Sequence, residues 1–270
     1  MTNHVIPMPN LENICGRVNM TVAEAEDFLK IIYRSMEPLA KRIPVFENDK
    51  LGYYTVERRG LGIIKTKHGS FWQYNFVIDD RWEKYSVLVK AELDLETFTP
   101  IFKNKDVLMM RTDSGCESGQ LFGDQTCECG DQLHLAMKCI EEAGEGMIIN
   151  IPRQDGRGMG LTFKLATLWI QDQIGANTVE SAALLAPGGI IDIRTYAGVI
   201  CILNFFGIPQ SCRINLATNN PRKAEVFAAN GYQVTDYTPV VVEATDHTRR
   251  HLQAKQDHLG HNGLMPNQEK

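Results

Sequence analysis

Three cysteines concentrate the chemistry of this chain: Cys116, Cys127 and Cys129 lie within R-T-D-S-G-C-E-S-G-Q-L-F-G-D-Q-T-C-E-C-G-D-Q, residues 111–132. A thiolate is a soft ligand suited to zinc, and three protein ligands leave a fourth tetrahedral position open, as catalytic sites do. A metal held this way lowers the pKa of water and supplies a hydrolytic nucleophile near neutral pH. The spacing leaves one alternative open. Free cysteine packs as a small hydrophobe, and C-x-C lacks the C-x-x-C rhythm of zinc knuckles.

Downstream lie three motifs with an affinity for anions. R-Q-D-G-R-G-M-G, residues 153–160, sits between an expected strand, MIINI, and an expected helix, LTFKLATLWIQDQIG. A glycine-rich turn there lets backbone N–H groups approach an anion, and Arg153 and Arg157 add charge; a plain tight turn is the competing reading. Asp192 and Arg194 form a D-x-R, which can serve as proton acceptor and phosphate partner, or simply as an ion pair at a helix entry. T-N-N-P-R-K, residues 218–223, has the caps and first-turn proline of a helix start. The same geometry would aim Lys223 and free N–H groups at a phosphate. His247 and His251 stand four apart in the C-terminal tail, with His258 and His261 beyond. No glutamate joins them as in a zincin motif, so they read as surface or packing residues.

The elements that must position these groups fall into two regimes. After an irregular lead-in over residues 1–20, Thr21 and Glu24 make a capping box for a helix with Phe28, Leu29, Ile32 and Met36 on its apolar face. GYYTVERRG, GIIKTK, FWQYNFVID, KYSVLVKAEL and DVLMMRT then read as short strands over residues 51–112. From Asp131 onward helices alternate with strands: a helix to Ala143, MIINI, the helix after the glycines, an apolar helix over 195–206, RINLAT, then YQVTDY and VVVEA. A last helix occupies the tail. The expectation is a mixed α/β (α+β) fold, an antiparallel β-rich half followed by an α/β half. Residues 1–50 form an N-terminal extension with one helix, 51–262 a catalytic domain and 263–270 a tail.

Composition narrows the function. The 270 residues are 43% apolar and carry a formal charge of -5, without the basic footprint of a nucleic-acid binder. No apolar run nears the ~18 residues of a membrane helix, and the first residues lack a secretion signal. Seven cysteines, an odd number, fit a reducing compartment better than a disulfide scaffold. A cytoplasmic protein is expected.

Taken together, C-x10-C-x-C, R-Q-D-G-R-G-x-G-L, D-x-R and T-N-N-P-R-K, in this order over about residues 55–262, resemble the GTP cyclohydrolase II family, the entry enzyme of riboflavin synthesis. The resemblance implies zinc-dependent opening of the guanine imidazole ring at C8, loss of formate and release of pyrophosphate. It implies Cys116, Cys127 and Cys129 as zinc ligands, Asp192 as proton acceptor and Arg194 as the residue acting at the α-phosphorus. Arg111, Gln132, Asp155, Gly156, Arg157, Thr178, Thr218 and Lys223 fall on nucleotide-binding positions, and Thr112, Asp113 and Ser114 complete that stretch. Magnesium on the triphosphate and a homodimer are also implied. Asp155 stands where glutamate is usual. R-T-D-S-G-C replaces the family's R-V-H-S-E-C, so Asp113 and Gly115 depart from it, and Leu168 stands where the family has a tyrosine close to the purine. Leucine cannot move a proton. These departures leave room for a product that keeps its formyl group, for another nucleotide such as a uridine nucleotide, or for a nucleotide-binding homologue without catalysis.

Overall fold

The structure, a computed structural model, describes residues 11–79, 83–190 and 192–265. The first ten residues of the lead-in and residues 266–270 of the tail lie outside the described residues. The chain opens with α1 (Leu11–Val18) and α2 (Val22–Met36), the latter started by the Thr21–Glu24 capping box. Then come β1 (Leu39–Glu47), β2 (Lys50–Thr66), β3 (Gly69–Ile78), β4 (Lys84–Lys90) and a small pair, β5 (Glu92–Leu93) and β6 (Pro100–Ile101). The second half runs β7 (Val107–Ser114), α3 (Glu117–Gln120), α4 (Cys129–Ala143), β8 (Gly146–Ile151), α5 (Leu161–Ile174) and α6 (Thr178–Leu185). It continues with α7 (Ala197–Phe206), β9 (Arg213–Ala217), α8 (Glu225–Ala229), β10 (Val234–Thr238) and α9 (Arg249–Leu259).

The two expected halves share one eight-stranded sheet, in the order β1-β2-β3-β4-β8-β7-β9-β10. Pairing is antiparallel from β1 through β4 to β8. It is parallel among β8, β7, β9 and β10. The central strands β7 and β8 are mostly buried, which is why β8 reads as an apolar run broken only by Asn150. Alternation along it sends Met147, Ile149 and Ile151 into the core that holds α7, and Ile148 into a second core against Ala136, Met137 and Ile140 of α4. Nine of the ten residues of α7 are buried, so this helix is apolar all round, as an enclosed helix must be.

Several sequence expectations change. GYYTVERRG and GIIKTK are one strand, β2, whose pairing with β3 shifts between Arg58 and Gly60. A bulge at Arg59 shifts the register without ending the strand. VVVEA forms no strand, because the Asn219 side chain takes the place of a ladder there: Val240 N donates to its Oδ1 at 3.0 Å and its Nδ2 donates to Val240 O at 2.9 Å. The segment before residue 51 holds two described helices rather than one. Its strand β1 pairs with β2 over nine positions, so it belongs to the same sheet rather than standing apart.

Candidate active site

The site follows from the parallel strands. In open α/β sheets ligands bind outside the carboxyl ends of such strands, where the helix-leading loops converge. Here β7 leads into the cysteine loop, β8 into the glycine-rich turn, and β9 into T-N-N-P-R-K. All three loops line one cleft of about 1180 Å³, measured out to open solvent.

On one side stand the thiols. Cys116, Cys127 and Cys129 bring their sulfurs within 4.8 Å of one another, and none is in a disulfide. Cys116 and Cys127 are 3.8 Å apart, which is about the edge of a tetrahedron with zinc–sulfur bonds of ~2.3 Å. Gly119 makes room for them, since a Cβ there would overlap the Cys127 sulfur and sit 3.3 Å from Cys116 Sγ. Without a cation three close thiols cannot all ionise. Donation from Cys127 and Cys129 holds the Cys116 thiol well below its usual range, while the same contacts push Cys127 up to about 11 and Cys129 well above normal. Lys164 Nζ lies 3.0 Å from Cys116 Sγ. Glu128, buried between two of the cysteines, accepts from Lys255 Nζ of α9 at 2.6 Å. The soft donors, the spacing and the fitted glycine suit a divalent metal.

Cations line the same cleft. Arg111 is buried on β7; its Nε donates to Asp113 Oδ1 at 2.9 Å, and its Nη2 reaches Gln132 Oε1 at 3.4 Å. Asp192 grips Arg194 through Nη2–Oδ2 at 2.6 Å and Nε–Oδ1 at 3.0 Å. Burial disfavours charge on both partners, but these bonds prevail, raising the arginine and holding the carboxyl below its usual range. Arg157 adopts φ +57°, an uncommon conformation for a non-glycine residue that marks places where backbone serves a site. Its Nη2 donates to Thr178 O at 2.9 Å, and its buried Nη1 has no partner. Burial and then Arg194 lower its pKa to about 10. Lys223 Nζ donates to Thr112 O at 2.6 Å; burial, then Arg111 and Arg194, push it down to about 7. Neither Arg157 nor Lys223 forms an ion pair with a carboxylate among the described residues. Positive charge thus exceeds the local carboxylates, an environment for a polyanion.

Of the residues singled out from the sequence, the cleft brings together Arg111, Ser114, Cys116, Cys127, Cys129 and Gln132. From the later motifs it adds Asp155, Gly156, Arg157, Thr178, Arg194, Thr218 and Lys223. Four are placed elsewhere. Thr112 and Asp113 are fully enclosed in the sheet, where Asp113 serves Arg111 and Thr112 offers its carbonyl to Lys223, so neither faces the cleft. Asp192 lies behind Arg194, bordering a neighbouring hollow, with both carboxylate oxygens bound to the guanidinium. Arg153 turns away to pair with Glu83 at 2.7 Å. The sequence reading missed Lys164, Glu128 and Lys255. It also took His251 and His261 for surface or packing residues, although both line the cleft, where burial and then Lys255 lower both imidazoles, His261 to about 4. One signal was present: His251, Lys255 and Leu259 recur at a helical interval of four, on one face of α9.

Three thiols close enough to share a metal and a set of buried cations thus line one cleft at the carboxyl edge of parallel strands in an α/β protein. The family model for GTP cyclohydrolase II matches residues 62–239, and this chain belongs to that family. It is 37% identical over 207 residues to the riboflavin biosynthesis protein RibBA of Staphylococcus haemolyticus, covering 77% of this chain and 48% of the relative. It is 32% identical over 206 residues to the GTP cyclohydrolase-2 of Streptomyces coelicolor, covering 76% and 86%. RibBA of Cytophaga hutchinsonii is 29% identical over 255 residues, covering 94% and 55%. The chain spans about half the length of the RibBA relatives it matches. Among the described residues no helix is long and apolar enough to cross a membrane.

Proposed function

We propose that this chain opens the guanine imidazole ring of GTP at C8, with zinc on Cys116, Cys127 and Cys129. The observation that carries the reading is the shared cleft, lined both by thiols at ligand spacing and by Arg157 and Lys223, cations without carboxylate partners among the described residues. When bound, zinc supplies Lewis acidity and a hydrolytic nucleophile near neutral pH. Arg157 and Lys223 hold the triphosphate, and Arg111 and Arg194, each fixed by its aspartate, present planar donor forks to it. Gln132 and Asp155 offer an amide and a carboxylate to the base. Magnesium is assigned to the triphosphate itself, since it binds phosphates through few protein ligands.

The chemistry balances with three waters. One adds at C8 and breaks a ring C–N bond, leaving a formamide; a second cleaves the formamide to formate and an amine. A third splits the α–β anhydride and releases pyrophosphate. A product that keeps its formyl group is a specific second reading, because Leu168 lines the cleft one turn from Lys164 and offers no proton. We further propose a homodimer. Leu165 and Trp169 of α5 and Phe122 beside the thiols, 53%, 72% and 73% exposed, give it an apolar surface.

Incubation with GTP, zinc and magnesium, followed by mass spectrometry, tests the reading. Formate and a diaminopyrimidine monophosphate support full turnover, and a retained formyl group places the block at deformylation. Unchanged GTP with consumption of a uridine nucleotide refutes GTP as substrate. Arg194→Ala is expected to abolish pyrophosphate release while ring opening survives; equal loss of both would reduce Arg194 to a positioning role.

A further inference from the structure

Arg194 lies in the loop that leads into α7, and α7 does not cap itself. Tyr196 occupies the N-cap position without a side-chain hydrogen bond to the helix. The first N–H groups of a buried helix still need acceptors. They find one 150 residues away in sequence: Glu47 Oε1 accepts from Tyr196 N and from Ala197 N, both at 3.2 Å. Glu47 is the last residue of β1, just before the turn at Asn48 and Asp49, both of positive φ.

The same strand grips the other end of the helix. Lys41 Nζ donates to Phe205 O at 2.7 Å and lies 4.4 Å from the Phe205 ring centroid. An acid at the N-terminus and a lysine at the C-terminus both match the helix dipole. The hairpin is anchored besides by Asn230, which accepts from Phe46 N and donates to Phe46 O, both at 2.8 Å. On its other flank the Asp192–Arg194 loop is tied to the glycine-rich turn, Ile193 N donating to Arg157 O at 3.0 Å. Between those two ties the chain has little freedom. The part of the chain that matches the family begins at residue 62, so β1 lies outside it.

We propose that β1 splints α7 and that Glu47 is a positioning residue, setting the Arg194 guanidinium in the cleft through the N-terminus of that helix. The inference rests on the reading of the cleft as a triphosphate site. It is tested on full-length, zinc-loaded protein with Glu47→Asp, which withdraws the carboxylate by one methylene, and Glu47→Gln, which keeps an acceptor oxygen. Each is assayed for KM and kcat with GTP, for affinity towards inorganic pyrophosphate by calorimetry, and for zinc content. A misplacement of about 1 Å can cost up to ~100-fold. Glu47→Asp is therefore expected to raise KM about tenfold and weaken pyrophosphate binding by a similar factor, with zinc unchanged, while Glu47→Gln stays within about threefold of wild type. Wild-type KM and pyrophosphate affinity in Glu47→Asp overturn the proposal. So does equal impairment of both variants with loss of zinc, the mark of a general structural fault. A wild-type protein that neither binds pyrophosphate nor consumes GTP refutes the triphosphate reading along with it, whereas a working wild type and an unaffected Glu47→Asp refute the splint alone.

Discussion

Gly119→Ala probes the thiol cluster without touching a thiol. Gly119 lies in α3, where alanine is favoured over glycine by ~1 kcal/mol, so the backbone does not oppose the change. Space does. The new methyl would overlap Cys127 Sγ while lying 3.3 Å from Cys116 Sγ and 3.4 Å from Cys129 Cβ. Ordinary contact needs about 3.5–4.0 Å between carbon atoms, so the Cys127 sulfur must retreat by about 1 Å. Metal–ligand distances hold to within about 0.2 Å, and the set of three cannot close around one ion. Overpacking costs about 1–3 kcal/mol, small enough for the fold to survive. The expected result is a folded protein whose zinc affinity falls at least ~100-fold, the upper end of what even outer-shell changes produce. Metal analysis after dialysis and chelator competition would read it, with Cys127→Ser as the reference for a lost ligand. A Gly119→Ala protein holding about one zinc per chain at wild-type affinity would refute the assignment of these thiols as a metal site.

Asp113→Asn leaves the buried Arg111 without its countercharge. Breaking such a pair costs about 3–5 kcal/mol, and a loss below about 1 kcal/mol in chemical denaturation would show that Gln132 and Ala217 O suffice to hold the guanidinium. Lys223 gives a pH signature. Its folded value of about 7 lies below the ordinary 10.5, so between those values the unfolded chain binds the extra proton and the stability of the metal-free protein rises as pH rises. Lys223→Met should flatten that slope in urea unfolding. Pyrophosphate binding at pH 8 should recharge the amine and take up close to one proton, read by calorimetry in buffers of different ionisation enthalpy; binding without proton uptake would refute the buried, neutral lysine.

What was legible in the sequence was what burial writes there. The apolar stretches of β8 and α7 announce buried elements, and the motifs after Ser114, Ile151 and Ala217 announce the loops at the carboxyl ends of three strands. Side-chain substitutes for backbone pairing were not legible. Asn219 satisfies Val240 in place of a strand, and nothing in VVVEA says that its partner is an asparagine in T-N-N-P-R-K. Lys164 was hidden for a related reason. It reads as one of several polar residues in α5, and only the fold brings it to Cys116. Asp192 and Arg194 were legible as a pair, but spacing does not say which member faces the main cleft.

The two departures beside the first cysteine are explained by one local packing arrangement. Asp113 is buried and saturated: besides Arg111 it accepts from Gln120 Nε2 at 2.6 Å and Asn150 Nδ2 at 2.7 Å. Gln120 closes α3 below Cys116, and Asn150 stands near the end of β8, so this carboxylate ties the cysteine loop to the sheet. Gly115 lets that happen. Its N–H donates to Ile151 O at 2.8 Å, and a Cβ at 115 would lie 2.5 Å from that oxygen and 3.1 Å from Asn150 Oδ1. Any side chain at 115 would drive the ends of β7 and β8 apart and draw Asn150 away from Asp113. The aspartate needs the glycine: a carboxylate at 113 is tolerated in the interior only because an arginine and two amides surround it, and one of those amides arrives through the space that Gly115 leaves. Asp113 thus holds a full set of donors, among them the Arg111 guanidinium that lines the cleft.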